Sequence, residues 1–151
     1  VSADQFLHMS LPYYISVSLS DFEMDKVHEW LSVDAYWSKG VPREVLERAF
    51  QNSLVFGLFH KEEGQVGVAR MTTDKATFAY LADVFILSSH RGTGLGRWLM
   101  EIIMAYPDLQ GLRRIMLATS DMQALYRQFG FVDCPDNGKL MEIVRPDIYQ
   151  N

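Results

Sequence analysis

At 151 residues the chain has the size of one domain, long enough to bury a proper core. With 48% hydrophobic and 22% charged residues it has the composition of an ordinary globular protein, and a net charge of -5 with a pI near 5.3 argues against a general nucleic-acid binder. The single cysteine, Cys134, excludes an internal disulfide and suits a reducing compartment, no apolar run approaches a membrane span, and no secretory leader pattern opens the chain. The expectation is a soluble cytoplasmic protein without a membrane partner.

Residues 1–12 show no clear period and are expected to be loosely ordered. From 14 to 19 the apolar residues Ile15, Val17 and Leu19 alternate, which predicts a strand. Ser20 and Glu23 have the spacing of a capping box, and Met24, Val27, Trp30 and Leu31 share one face of the helix that follows. After a loop with Tyr36, Trp37 and Gly40, Pro42 opens a second helix whose apolar side is Val45, Leu46, Ala49 and Phe50. Three antiparallel strands are expected at 54–59, 66–72 and 77–87, joined by turns at 62–65 and 74–75. Leu95, Trp98, Leu99, Ile102, Ile103 and Tyr106 then repeat with helical period until Pro107 stops them. A buried-type strand at 114–119, a short helix at 122–129 ended by Gly130, and strands at 131–132 and 140–144 complete the chain. The expected order is β-α-α-β-β-β-α-β-α-β-β. That is an α/β (α+β) fold with a mixed, mainly antiparallel central sheet and helices on both faces, in a single domain over 1–151.

Between the apolar run 81–87 and the helix at 95 lies Arg91-Gly92-Thr93-Gly94-Leu95-Gly96. Strand, glycine-rich turn and helix start bring bare backbone N–H groups to the positive end of a helix dipole, which suits a phosphate. The plain alternative is an ordinary glycine turn with two solvated arginines. The dinucleotide pattern G-x-G-x-x-G fails, because its third glycine would fall on Arg97 or Leu99, and no Gly-Lys-Ser/Thr of a P-loop occurs. A protein-kinase loop fails as well, since the chain is too short and lacks the other kinase motifs.

What remains is R-x-x-G-x-G through Arg91, Gly94 and Gly96. With Ile86-Leu87-Ser88-Ser89-His90-Arg91-Gly92 before it and Ala124-Leu125-Tyr126-Arg127-Gln128-Phe129-Gly130-Phe131 downstream, the chain resembles the GCN5-related N-acetyltransferase (GNAT) superfamily over essentially its whole length. The first stretch parallels the family's V-x-P-x-x-R-G with Ser88 in place of the proline, and the second its A-x-L-Y-x-x-x-G-F. Trp30-Leu31, Ala35-Tyr36-Trp37 and Leu117-Ala118-Thr119-Ser120-Asp121 look like a set of small single-domain bacterial members.

The resemblance implies an acetyltransferase with acetyl-CoA as co-substrate. Arg91, Gly92, Thr93, Gly94, Leu95, Gly96 and Arg97 are then the residues that hold the pyrophosphate, and the backbone of Val84 and Ile86 pairs with the pantetheine arm as an added strand does. Tyr126 matches the family tyrosine that protonates the departing thiolate; read by itself it is equally a buried tyrosine with a satisfied hydroxyl. Asp83 interrupts an apolar strand and is either the candidate base or a hydrogen-bonded structural group, with Tyr80 nearby as a second candidate. Tyr80 is also a candidate for the acceptor pocket with Tyr36 and Trp37, and Tyr13, Tyr14, Tyr36 and Trp37 either line that pocket or cap the core. Thr119 stands where many members carry asparagine. His90 reads as a surface histidine beside the loop and Cys134 as structural, and the four histidines lack a metal spacing. The implied reaction is direct attack by a primary amine of a small molecule or peptide in a ternary complex, since no acyl-enzyme nucleophile is evident. A non-catalytic acyl-CoA-binding domain and a longer acyl donor are the alternatives. No nucleic-acid partner is expected, and a homodimer fits both the family and the terminal strand edges.

Overall fold

The strands at the centre of the chain are apolar on both sides because a helical layer covers each face of the sheet. The computed structural model describes residues 4–135 and 138–150. In chain order it holds β1 (Gln5–Leu7), β2 (Tyr13–Ser16), α1 (Met24–Glu29), α2 (Arg43–Gln51), β3 (Leu54–His60), β4 (Gly64–Thr73), β5 (Phe78–Ile86), α3 (Leu95–Ala105), β6 (Arg114–Leu117) and α4 (Gln123–Arg127). The strands lie side by side in sequence order, antiparallel throughout except for the parallel pair β5–β6. On one face Ile15, Phe56, Leu58 and Met71 pack with Leu95, Leu99 and Ile103 of α3 and with Tyr126 of α4. On the other, Val55, Phe59 and Val68 pack with Val27, Trp30, Leu31, Leu46 and Phe50 from the α1–α2 layer. The expected mixed, mainly antiparallel sheet with helices on both faces is thus observed.

Several boundaries differ from expectation. Residues 5–7, expected to be loose, form β1 against β2, and Phe6 rests on the edge of Tyr106. β2 ends at Ser16 rather than continuing to 19, because the Ser16 hydroxyl turns to donate to Asp21 Oδ2 at 2.6 Å and the chain enters a 3₁₀ turn at Leu19–Asp21. The capping box does not form. Ser20 pairs with the Ser18 hydroxyl, and Glu23 makes a long-range version of the same reciprocity: its N–H donates to Gln65 Oε1 and its carboxylate accepts from the Gln65 N–H. α1 passes directly into a π-helical turn, Trp30–Asp34, which directs the following aromatic loop toward the sheet.

The strands expected at 131–132 and 140–144 are absent among the described residues. Val132, Leu140, Met141, Ile143 and Val144 are exposed, and the outer edge of β6 carries no strand. Period-two alternation specifies which side chains share a face but supplies no hydrogen-bonding neighbour, and after Phe131 the chain does not return to β6. The order therefore gains a strand at its start and loses two at its end.

Leu99 is fully buried where α3 meets the sheet. Leu99→Ala is expected to cost about 2–5 kcal/mol, read as a lower urea midpoint with an unchanged m-value.

Candidate active site

A cleft opens because β5 is longer than its pairing with β6. The two strands are in register only from Phe78↔Arg114 to Leu81↔Leu117, whereas β5 runs on to Ile86 with no strand on that side. At the point of departure β5 carries a bulge. Arg70 of β4 pairs with Ala82 and Val68 with Phe85, so Asp83 and Val84 together stand opposite Ala69. Two adjoining cavities of about 510 and 650 Å³ occupy the gap. Tyr36, Trp37, Val84, Asp121, Met122 and Tyr126 line both and so mark their junction.

Asp83 makes the bulge possible. It holds φ +56, a left-handed conformation that costs a side-chain-bearing residue about 1–2 kcal/mol. Its carboxylate is 8% exposed as a residue and engaged at both oxygens: Oδ1 accepts from Trp37 Nε1 at 2.9 Å, and Oδ2 from Arg70 Nε at 2.8 Å. Arg70 also reaches the hydroxyls of Ser53 and Thr72 and lies over the Phe50 ring. One carboxylate thus ties the bulge, the neighbouring strand and the aromatic loop together.

The glycine loop closes the first cavity. Gly92 and Gly94 have φ +88 and +82, and a Cβ at either would meet nothing within 4 Å. Glycine is required there by backbone conformation, not by crowding. Gly94 caps α3, accepting the first helical bond from Trp98 N–H, and the N–H groups just inside that end have no helical partner. Arg91, Gly92, Gly94, Leu95 and Gly96 line the cavity with Val84 and Ile86, while Thr93 and Arg97 do not. Neither arginine is the main feature of the site. Arg91 donates from Nε to the Ile86 carbonyl at 2.6 Å and lies over the Phe85 ring, and Arg97 pairs with Glu101 at 3.3 Å and covers Phe129. What the loop offers an anion is therefore backbone N–H groups and the helix dipole.

His90 is buried, not at the surface. Its Nδ1 is 2.7 Å from the Tyr13 hydroxyl and its Nε2 3.3 Å from Glu63 Oε1, so three distant parts of the chain anchor the start of the loop. No spacing in the sequence announces this contact. Tyr13 is thereby placed in the core, and Tyr14 stacks on Phe59; neither borders the cavities.

Tyr126 is 8% exposed, and among the described residues no protein group bonds its hydroxyl. Burial first, and the negative charge of Asp121 second, raise its pKa above the ordinary 10, so it stays protonated at neutral and moderately alkaline pH. Tyr36 spans the cleft mouth with a 2.9 Å hydrogen bond to the Ser120 hydroxyl, and Tyr80 and Tyr149 border the second cavity. Thr119 accepts the Met122 N–H at 3.0 Å and so shapes the turn into α4. Asp121 lay in a family-like stretch but was given no role, and Met122 and Tyr149 had no motif to reveal them; the β6–α4 turn brings Asp121 and Met122 to the cleft, and the C-terminal segment packed on Gly40 brings Tyr149. No group of three or more potential metal ligands occurs among the described residues, and no helix there is long and apolar enough to cross a membrane.

A mixed, mainly antiparallel sheet splayed beside a glycine-rich loop at a helix start defines the class of the fold: an α/β protein with a cleft along a free strand edge. The profile of the Acetyltransferase (GNAT) family matches residues 24–131. A candidate acetyltransferase of that family from Xanthomonas campestris pv. campestris shares 43% identity with a TM-score of 0.89, covering 94% of this chain and all of the other. A candidate acetyltransferase of Gibberella zeae is 36% identical over 135 residues, 76% of this chain and 75% of its own. The chloroplastic GCN5-related N-acetyltransferase 1 of Arabidopsis thaliana is 29% identical over 147 residues, 86% and 75% of the two chains. The chain belongs to the GNAT family of acetyltransferases.

Gly94→Ala forces a methyl-bearing residue into φ +82 and is expected to cost about 1–2 kcal/mol of stability. Because the loop must shift to relieve the strain, the dissociation constant for coenzyme A is expected to rise at least tenfold, measured by isothermal titration calorimetry.

Proposed function

We propose that the protein transfers an acetyl group from acetyl-CoA to a primary amine by direct attack within a ternary complex. The observation that carries this reading is the Tyr126 hydroxyl at the junction of the two cavities, without a hydrogen-bond partner among the described residues. The first cavity suits the coenzyme: a glycine loop and helix end for the pyrophosphate, and an unpaired strand edge at Val84 and Ile86 for an extended amide-bearing arm. The second cavity is then the acceptor half, with Tyr36, Trp37 and Tyr80 in its wall.

Acetyl-CoA, when bound, supplies the thioester: the neutral amine nitrogen forms the C–N bond as the C–S bond breaks, and of the two protons the ammonium loses overall, one equivalent ends on sulfur and one in water. Tyr126, protonated at neutral pH, is the donor to that sulfur. Asp83 stands beside this junction as the carboxylate proposed from the sequence as base. Its engagement with Arg70 and Trp37 favours a share in catalysis through the shape of the cleft, with water taking the amine proton.

Coenzyme A or acetyl-CoA at a hundred times its dissociation constant should stabilise the fold by about 2.7 kcal/mol; no thermal shift with either would remove the reading. Thiol release should depend on both acetyl-CoA and an amine, and Tyr126→Phe should lower kcat by about 10²–10⁴-fold while leaving coenzyme binding intact. Thiol release only with a longer acyl-CoA would change the donor, and binding without turnover on any acceptor would make the domain a non-catalytic binder. The raised Tyr126 pKa also sets a sign. The folded state keeps the phenolic proton above pH ~10 where the unfolded chain loses it, so this contribution to stability is present below pH ~10 and is lost as pH rises through the folded value. Urea melts in a series from pH 8 to 11 check it.

A further inference from the structure

The second cavity has a wall chemistry that selects among amines. Its aromatic lining is dense: Tyr36, Trp37, Tyr80, Tyr126 and Tyr149 all border it, and Met122 adds a polarisable apolar surface. Its charged lining is sparse. Arg70, Asp83 and Asp121 are the charged residues around it. Arg70 is bound to Asp83 and to two hydroxyls, so this cation is already neutralised and hydrogen-bonded by the protein. Asp121 lies on the other wall, exposed, in no ion pair, and close enough to Tyr126 to bear on its ionisation. The cavity is therefore aromatic, with one available negative charge at the junction with the donor half and no available positive charge among the described residues.

We infer that the acceptor is an arylalkylamine-type monoamine: a single ammonium group on an aromatic or hydrocarbon body, with no carboxylate or phosphate beside it. This rests on the acetyl-transfer reading and specifies its acceptor. Asp121 attracts the ammonium to the junction, and the rings of Trp37, Tyr36 and Tyr80 take the body by stacking and cation–π contact. An amino acid or a phosphorylated amino sugar brings an anion into a cavity that offers it only Asp121 as an unpaired charge, so it is disfavoured by repulsion and by lost hydration. A polyamine presents several cations to one unpaired carboxylate and has no ring to stack on the aromatic wall.

The test is a thiol-release assay on the full chain with saturating acetyl-CoA, using phenethylamine, phenylalaninamide, phenylalanine, glucosamine 6-phosphate and spermidine. Phenethylamine and phenylalaninamide should exceed phenylalanine and glucosamine 6-phosphate by at least 50-fold in kcat/KM, with spermidine also well below them. Asp121→Asn, a surface change, should raise KM for phenethylamine and narrow its lead over phenylalanine at least fivefold. A merely structural role for Asp121 would shift both substrates together. Phenylalanine, glucosamine 6-phosphate or spermidine as the better acceptor would overturn the proposal while leaving acetyl transfer in place. An unchanged preference in Asp121→Asn would overturn the role of that carboxylate. Thermal stabilisation by coenzyme A without thiol release on any acceptor would remove both readings, and no stabilisation by either coenzyme form would remove the donor assignment beneath them.

Discussion

The cleft depends on a single carboxylate held in an unfavourable backbone conformation. Asp83 sits at φ +56 in the interior of a sheet, where β5 departs from β6. A left-handed aspartate costs about 1–2 kcal/mol, and a hydrogen bond to an ionised group typically returns about 1.5–3 kcal/mol. With Arg70 on one oxygen and Trp37 on the other, the balance favours the bulge. The bulge lies just beyond the last β5–β6 pair, Leu81↔Leu117, where the edge of β5 becomes free. The same contact positions Trp37, so the shape of the donor half and the wall of the acceptor half come from one side chain.

The two halves are built in different ways. The donor half relies on main chain: left-handed glycines, the start of α3, and an unpaired edge of β5. Its supports are indirect, since Arg91 braces the Ile86 carbonyl and the Tyr13–His90–Glu63 contact pins the base of the loop from the α3 side of the sheet. The acceptor half relies on side chains from the aromatic loop after α1 and from the β6–α4 turn. If coenzyme A occupies the first cavity as proposed, backbone recognition reads a feature common to every coenzyme A thioester. Side-chain recognition can be altered residue by residue without disturbing it.

How much of this was legible in the sequence follows from how local each signal is. The helical period and the glycine-rich turn are carried by neighbouring residues: α3 forms over Leu95–Ala105, and Gly92 and Gly94 take the positive φ of a turn. The three central strands were legible for the same reason. Asp83 was recognisable as an anomaly in an apolar strand, but not as a bulge, because the Arg70 and Trp37 that hold it lie 13 and 46 residues away. His90 was misread because its partners are 77 and 27 residues distant. The C-terminal alternation failed as a strand signal for a related reason: pairing is a property of two segments, and only one of them can be read from a local pattern. Tyr126 was found through its motif. Its hydroxyl, without a partner among the described residues, distinguishes it from an ordinary core tyrosine, and that distinction depends on three-dimensional neighbours that no motif encodes.

The Tyr36–Ser120 bridge across the cleft mouth has a kinetic consequence. It is an exposed hydrogen bond between two hydroxyls, worth about 0.5–1.5 kcal/mol net, so thermal fluctuation leaves it open for roughly a tenth to a third of the time. Opening requires a side-chain rotation, which for an exposed residue takes picoseconds to nanoseconds. This part of the cleft wall therefore breaks and re-forms on that timescale, far faster than any hinge movement.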